Sequence, residues 1–455
     1  MKKKKILYVL TGWPPYHGGG LIVYMQNLLN NMNPEIYDIY VFHNGELNLL
    51  FPKIYLKKTN NIYSLVNSYY YLDYELSPIK DHRVEHYFRK VLDEVNPDII
   101  HFQDLGGLPF SLIQIAKEET NAKIFNTFHN YYFICPRREL FHSDGTLCTL
   151  CVAGYICPLC QKKEIRRNIF LRVYINIFMR FLKKHSINFI YNYLLKKSFS
   201  PSNTLHIYSS KDYYDKKRIS QRSLYAKKVL NEYTDINLYV SYGMKKIFKS
   251  FGIKDNNKNK VMYLGTNLTS IKKYTDNFVR VDEIVFGFLG NPSKMKGLYL
   301  LVHAFNKLSN KYRNIKLEIY GCDKTIYQEL NSEEVDNPKI IFHGNYNHED
   351  LPNILRSFDV GVVPSIWPDS MPLVVFELFS AKIPIIGANI GGIPDMVKNN
   401  KNGLLFKSND ENDLKRKMEY IIKNPSIVIK YKKNINPVLI MEDHIKELTN
   451  LYNNI

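Results

Sequence analysis

Short apolar runs recur along this chain with segments of helical period between them. That alternation constrains the fold more than any other feature. Runs at 6–10, 39–42, 98–101 and 123–127 occupy the first half, and runs at 261–264, 284–289, 315–320, 339–342, 359–364 and 383–387 the second. Strands alternating with helices make a parallel sheet with crossover helices. Two series of similar size predict an α/β chain of two Rossmann-like domains. The polar run 254–260 and the segment 266–282 read as linker, which places the boundary at residue 265. The segment 441–455 has helical period and is expected to pack back on the first domain.

The length of 455 residues fits two large domains. With 45% apolar and 23% charged residues the chain is globular rather than disordered. Lys and Arg number 62 against 43 Asp and Glu, a net charge of +19 that favours an anionic partner such as a nucleotide, a phospholipid surface or a nucleic acid. No stretch is long and apolar enough for a membrane span. The apolar run at 6–10 follows Lys2 to Lys5 and stops at Gly12 and the Pro14–Pro15 pair, too short for a signal-peptide core. A cytoplasmic protein is therefore expected, with its six cysteines reduced.

Three loops at strand ends carry the chemistry. Gly18-Gly19-Gly20 lies between the first strand and a helical pattern, where glycines let the backbone approach a ligand and the helix start favours an anion. It has neither the GxGxxG nor the P-loop spacing. Gly290-Asn291-Pro292-Ser293-Lys294-Met295-Lys296-Gly297 joins the run 284–289 to a helical pattern at 298–308, and its lysines can neutralise a diphosphate. The third signal is the strongest. After the run 359–364 come Ser365-Ile366-Trp367-Pro368-Asp369-Ser370-Met371-Pro372 and the helix-like Leu373-Val374-Val375-Phe376-Glu377-Leu378. Asp369 sits in the loop, free amides lie beside it at the helix start, and Glu377 one turn on can accept two ribose hydroxyl hydrogen bonds. Gly391-Gly392-Ile393-Pro394-Asp395 adds a further close-approach loop at the same sheet edge. An isolated glycine turn, basic turn or acid on a helix surface is ordinary; glycines and prolines clustered around two acids are not.

The sequence resembles the retaining glycosyltransferases of family 4, which have the GT-B fold: two facing Rossmann-like domains with an interdomain cleft. The resemblance runs over nearly the whole chain. It is most specific from Pro364 to Phe406, where Pro-Ser-x-Trp-x-Asp-x-x-Pro-Leu-Val and Glu377 lead to Gly391-Gly392-Ile393-Pro394-Asp395 and Asn402-Gly403-Leu404-Leu405-Phe406. It implies a donor site for a nucleoside-diphosphate sugar made by Gly19, Gly20, Asn291, Lys296, Met371, Pro372, Leu373, Val374, Glu377, Gly391 and Gly392. Within it, Glu377 would hold the ribose and Lys296 would pair with the diphosphate. Asp369 stands where the family usually has Glu and would touch the donor sugar. Asn291 stands where many members have Arg, which removes one cation. His129, in Thr127-Phe128-His129-Asn130, matches the family histidine that serves the sugar or assists transfer, with Asn130 in place of the usual Asp. His129 and Asp369 are thus the catalytic candidates.

The reaction implied breaks the bond between the anomeric carbon and phosphate, leaving an oxocarbenium-like sugar and an anionic diphosphate. Lys296 and the loop and helix amides would stabilise the departing charge. The chain has no D-x-D motif of the kind that holds a divalent metal in other sugar-nucleotide transferases, so metal-independent chemistry is expected. In the family's front-face course the donor phosphate takes the acceptor proton and configuration is retained. The acceptor expected is a glycan or lipid-linked glycan in surface polysaccharide synthesis.

Five cysteines fall between Cys135 and Cys160. Cys148-x2-Cys151 and Cys157-x2-Cys160 have knuckle spacing for a structural zinc, with one cysteine more than the four a tetrahedral site needs. The resemblance favours Cys135, Cys148, Cys157 and Cys160 as ligands, with Cys151 as the alternate. The insert 135–160 would then clip the loop after His129. From Lys162 to Lys197 ten Lys or Arg stand against one acid, Glu164, interleaved with large apolar residues. This reads as a basic amphipathic segment, 161–198, suited either to an anionic membrane surface, placing the protein peripherally on the inner face of the cell membrane, or to solvent. The rival readings are an epimerase or phosphorylase of the same fold, a zinc-knuckle nucleic-acid binder and an inactive subunit. No aromatic-basic RNA motif accompanies the charge, so no nucleic-acid partner is expected.

Overall fold

The computed structural model describes residues 2–14, 17, 19–46, 48, 51, 53–68, 79–142, 146–148, 211–267, 283–331 and 335–454. Two sheets organise them. The first holds β1 (Lys4–Thr11), β2 (Tyr37–Glu46), β3 (Tyr55–Thr59), β4 (Ile62–Val66), β5 (Ile99–Phe102), β6 (Lys123–Phe128), β7 (Ile236–Tyr239) and β8 (Asn259–Val261). Their order is β3-β4-β2-β1-β5-β6-β7-β8, parallel except where β3 runs against β4. The second holds β9 (Ile284–Leu289), β10 (Ile315–Tyr320), β11 (Ile340–Phe342), β12 (Val360–Val363), β13 (Ile385–Ala388) and β14 (Gly403–Phe406), all parallel, in the order β11-β10-β9-β12-β13-β14. Both halves are Rossmann-like.

The inner parallel strands are largely buried, and the polar residues they carry, such as His101 on β5 and Asn126 and Thr127 on β6, are buried with them. Every residue of β9 is buried. Its Gly287 is required by packing, since a Cβ there would lie 2.2 Å from the Phe358 ring.

Some elements differ from the sequence reading. The run at 261–264 is not a strand. The strand is β8, Asn259–Val261, so the end of the polar run read as linker pairs with β7 instead. It is polar because Asn259 is a buried structural group: its Oδ1 accepts from the Tyr239 hydroxyl at 3.0 Å, and its Nδ2 donates to the Lys254 carbonyl at 2.6 Å. β3, β4, β7 and β14 were not read as strands. β3 lies at the sheet edge with Lys57, Lys58 and Thr59 exposed, and β7 is interrupted by Asn237, whose Nδ2 donates to the Leu230 carbonyl at 3.0 Å.

The halves interpenetrate. Met371 and Phe376 from the second half belong to the first core, and Phe141 from the first half belongs to the second. The terminal helix, Met441–Asn453, buries Met441, Ile445, Leu448 and Tyr452 in the first core. The Tyr452 hydroxyl lies 2.5 Å from His101 Nδ1 and 3.1 Å from the Tyr8 hydroxyl, and His101 Nε2 lies 2.7 Å from Thr127 Oγ1. Burial pushes the His101 imidazole far down its scale, so it stays neutral. The two chain crossings are tied together where Thr266 N donates to Leu439 O (3.0 Å) and Met441 N to Thr266 O (3.0 Å). Among the described residues no helix is long and apolar enough to cross a membrane.

Candidate active site at the seam between the halves

In the second half, the loop after β9 closes on the loop after β12. Gly297 makes this possible: its φ is +69°, and a Cβ would lie 2.0 Å from the Pro364 carbonyl oxygen. Ile366 N donates to Met295 O at 2.9 Å and fixes the two loops together. Lys296 Nζ is thereby held 2.8 Å from Asp369 Oδ2 and 5.7 Å above the Trp367 ring. Asp369 is buried and Lys296 half-buried. Gly391, with φ +60°, lets the loop after β13 press on Asp369, whose main-chain oxygen accepts from Gly392 N at 2.8 Å. The helix Leu373–Ser380 starts beside this pair, capped by Pro372, with its first amides unmatched by any capping side chain. Glu377 lies half-buried on it. It is near enough to Tyr346 that its charge adds to burial in raising that phenol to about 12. Asn291 is exposed and caps its own loop, accepting from Ser293 N at 3.2 Å.

In the first half, Gly19 (φ +103°) precedes the helix Gly20–Asn31. A Cβ on Gly20 would touch Leu373 Cδ1 at 3.4 Å, so the glycine turn faces the start of the Glu377 helix. Gly18 falls outside the described residues. His129 follows β6. Its Nε2 is 2.7 Å from Gln103 Oε1 and its ring centroid 5.3 Å from that of Tyr24. The Tyr24 hydroxyl is in turn 2.7 Å from His444 Nε2 on the terminal helix. Burial, helped by His444, lowers the His129 pKa to about 3, so the ring is neutral near pH 7. Asn130 Nδ2 donates to Asp104 Oδ2 at 3.4 Å, and Arg138 is 3.4 Å from the same oxygen.

Across the seam, Ser370 Oγ donates to the His129 main-chain oxygen at 2.8 Å. The Asp395 carboxylate accepts from Tyr242 N, capping the helix Tyr242–Ser250 from the opposite half. Burial raises the Asp395 pKa, against the pull of that hydrogen bond. Tyr131 is fully buried, and burial with the charges of Asp369 and Asp395 pushes its phenol far up. The loops carrying Lys296, Asp369, Glu377, Gly391 and Gly392 thus meet those carrying Gly19, Gly20 and His129. Met371 and Pro372 are buried, Val374 half-buried, and Leu373 exposed at 45%. Gln103, Tyr24, Ser370, Tyr346 and His444 were not singled out from the sequence. Of these, Ser370 alone lies within a loop that the sequence singles out.

Cys151, Cys157, Cys160 and the segment 161–198 lie outside the described residues. Cys135 is buried and Cys148 half-buried, in a loop closed by Cys148 N donating to Leu140 O at 2.8 Å. Among the described residues no group of three or more His, Cys, Asp or Glu could hold a metal ion.

Residues 271–436 match the family model for glycosyl transferases group 1. A Klebsiella pneumoniae protein named "Uncharacterized 41.2 kDa protein in cps region" is 25% identical over 56% of this chain and 79% of its own length. The Escherichia coli UDP-Gal:alpha-D-GlcNAc-diphosphoundecaprenol alpha-1,3-galactosyltransferase is 46% identical over 61 residues, 13% of this chain and 16% of its own. Against two other curated relatives the match spans about half their length, 46% and 59%. An Anabaena structure in complex with UDP superposes with a TM-score of 0.60 at 12% identity, over 99% of this chain and 100% of that one. The fold is GT-B.

Proposed function

We propose that this protein is a retaining glycosyltransferase that moves a sugar from a nucleoside-diphosphate sugar to a glycan or lipid-linked glycan in surface polysaccharide synthesis. The observation that carries this reading is the cross-seam arrangement: Lys296 paired with Asp369 at 2.8 Å, and the next residue, Ser370, bonded to the His129 backbone. A cation and unmatched helix amides stand on one side of the seam and a neutral imidazole on the other.

The chemistry follows from where charge develops. When the anomeric bond breaks, negative charge collects on the diphosphate. Lys296 and the first amides of the helix Leu373–Ser380 are fixed donors for it. Diphosphate binding would compete with Asp369 for Lys296, releasing the carboxylate to accept donor sugar hydroxyls. Glu377 would hold the ribose, and neutral His129 would hydrogen-bond a sugar hydroxyl. Transfer would need no catalytic metal, as the missing D-x-D motif supports, and configuration would be retained. The UDP complex of the Anabaena neighbour supports a uridine nucleotide donor, and the name of the Escherichia coli relative supports a diphosphate-lipid acceptor. A structural zinc on Cys135, Cys148, Cys157 and Cys160, with Cys151 as alternate, and anionic-membrane contact through 161–198 belong to the same proposal; metal analysis and vesicle sedimentation of the full chain test them.

The test is a panel of UDP-, GDP- and TDP-sugars with diphosphate-lipid acceptors, read by product mass and anomeric NMR, with and without a mild chelator. One sugar added with the donor's anomeric configuration, unaffected by the chelator, is the expected result. An epimerised nucleotide sugar with no acceptor product would overturn it.

A further inference from the structure

Gln103 is 1% exposed, immediately beyond β5, with its amide oxygen 2.7 Å from His129 Nε2 and its amide nitrogen without a hydrogen-bond partner among the described residues. Its main chain is fixed by Gln103 N donating to Val9 O at 2.8 Å. A neutral imidazole carries one proton, and the group facing one nitrogen decides which nitrogen has it. An amide oxygen can only accept, so Nε2 must donate. The proton is then on Nε2, and Nδ1 keeps its lone pair. His129 Nδ1 has no hydrogen-bond partner among the described residues, and the side chain is only partly buried.

We infer that Gln103 is a positioning residue for His129: it locks the imidazole in the Nε2–H form, so that Nδ1 is presented as the acceptor of a sugar hydroxyl at the seam. This deepens the glycosyltransferase reading and rests on it. The unsatisfied Gln103 amide N–H is a buried donor, and such a group in a native fold calls for an explanation, of which a catalytic role is one. Tyr24 packs on the His129 ring from the first helix, at 5.3 Å between centroids, and cannot supply the lock because its hydroxyl is committed to His444. The other titratable groups facing the ring's surroundings are His101 on β5, His444 on the terminal helix and Asp369 in the loop bonded to the His129 main chain. The two histidines are neutral at the same pH and leave the tautomer to Gln103.

The test uses the full chain with 15N-labelled imidazoles, the His129 signal being assigned by its loss in His129→Gln. Wild type is expected to show Nε2 protonated and Nδ1 bare. In Gln103→Leu the two forms should mix, with kcat falling about 10- to 100-fold, by analogy with the loss that follows removal of the outer partner of a metal-bound histidine, and nucleoside-diphosphate affinity unchanged. Gln103→Glu keeps the accepting oxygen, so it should restore the Nε2–H form. It should also raise the imidazole pKa and bring an acidic fall in kcat into the neutral range. A wild-type Nδ1–H form, or an unchanged tautomer in Gln103→Leu, overturns the inference. Because the tautomer is read without donor or acceptor, that failure is distinct from failure of the transferase reading, which would show as no nucleotide binding in wild type.

Discussion

Ser370 Oγ and the His129 main-chain oxygen stand 2.8 Å apart, and their hydrogen bond joins the donor-side loop of one half to the strand end carrying the imidazole in the other. It sets where His129 lies relative to Asp369, the residue before Ser370. Ser370→Ala should lower unfolding stability by about 1 kcal/mol, the net value of one such bond. It should lower kcat/KM more than nucleotide affinity, because it loosens the seam and not the donor pocket. Denaturant unfolding and steady-state kinetics on the same preparation separate the two.

Lys296 is partly exposed, so its pair with Asp369 contributes little to folding. Its weight should fall on ligand binding. Lys296→Met should weaken nucleoside-diphosphate affinity about 10- to 100-fold, as expected for a charged hydrogen bond of about 1.5–3 kcal/mol. The change in melting temperature should be small. Lys296→Arg should recover only part of the affinity, since the guanidinium fork does not reproduce a compact ammonium. Calorimetric titration with UDP reads all three.

Gly297 has no room for a side chain. Gly297→Ala puts a Cβ 2.0 Å from the Pro364 oxygen at φ +69°. The left-handed conformation alone costs about 1–2 kcal/mol, and the clash adds to it. A fall in melting temperature of several degrees should accompany loss of UDP binding, while Gly344→Ala, at φ +72° but 4.0 Å from its nearest neighbour, should cost stability without that loss.

Acid should loosen the first half. Burial lowers the His444 pKa to about 4, against an ordinary value near 6.5 in the unfolded chain. The unfolded state therefore binds the proton first. The stability this neutral ring confers is complete above about pH 6.5 and is lost as pH falls from there to about 4, with a slope approaching 1.4 kcal/mol per pH unit. His101 and His129, also lowered, add to the trend. His444→Gln should flatten the slope of unfolding free energy against pH in that window; an unchanged slope would contradict the assignment.

The strands most readable from sequence were those buried on both faces. β9 and β10 are legible with the bounds the structure has, β9 because no charged or polar residue interrupts it and β10 because Ile315, Leu317 and Ile319 recur at alternate positions around Lys316 and Glu318. β7 and β8 were obscured by Asn237 and Asn259, polar residues whose partners, Leu230 O and Lys254 O, are found only once the chain has folded. At the seam, the loops after β9, β12 and β13 were legible because close backbone approach demands glycine, and Gly297 and Gly391 mark it locally. Gln103, Tyr24 and His444 leave no such mark. They matter through contacts spanning 26 and 420 residues of sequence, which no local pattern records.

The most direct measurement is a structure of the full chain with a nucleoside diphosphate bound. The account predicts the diphosphate within hydrogen-bonding distance of Lys296 Nζ and the amides at Leu373 and Val374, the ribose hydroxyls on the Glu377 carboxylate, and His129 facing the open phosphate end. A nucleotide bound away from the seam, or none bound at saturating concentration, would contradict it.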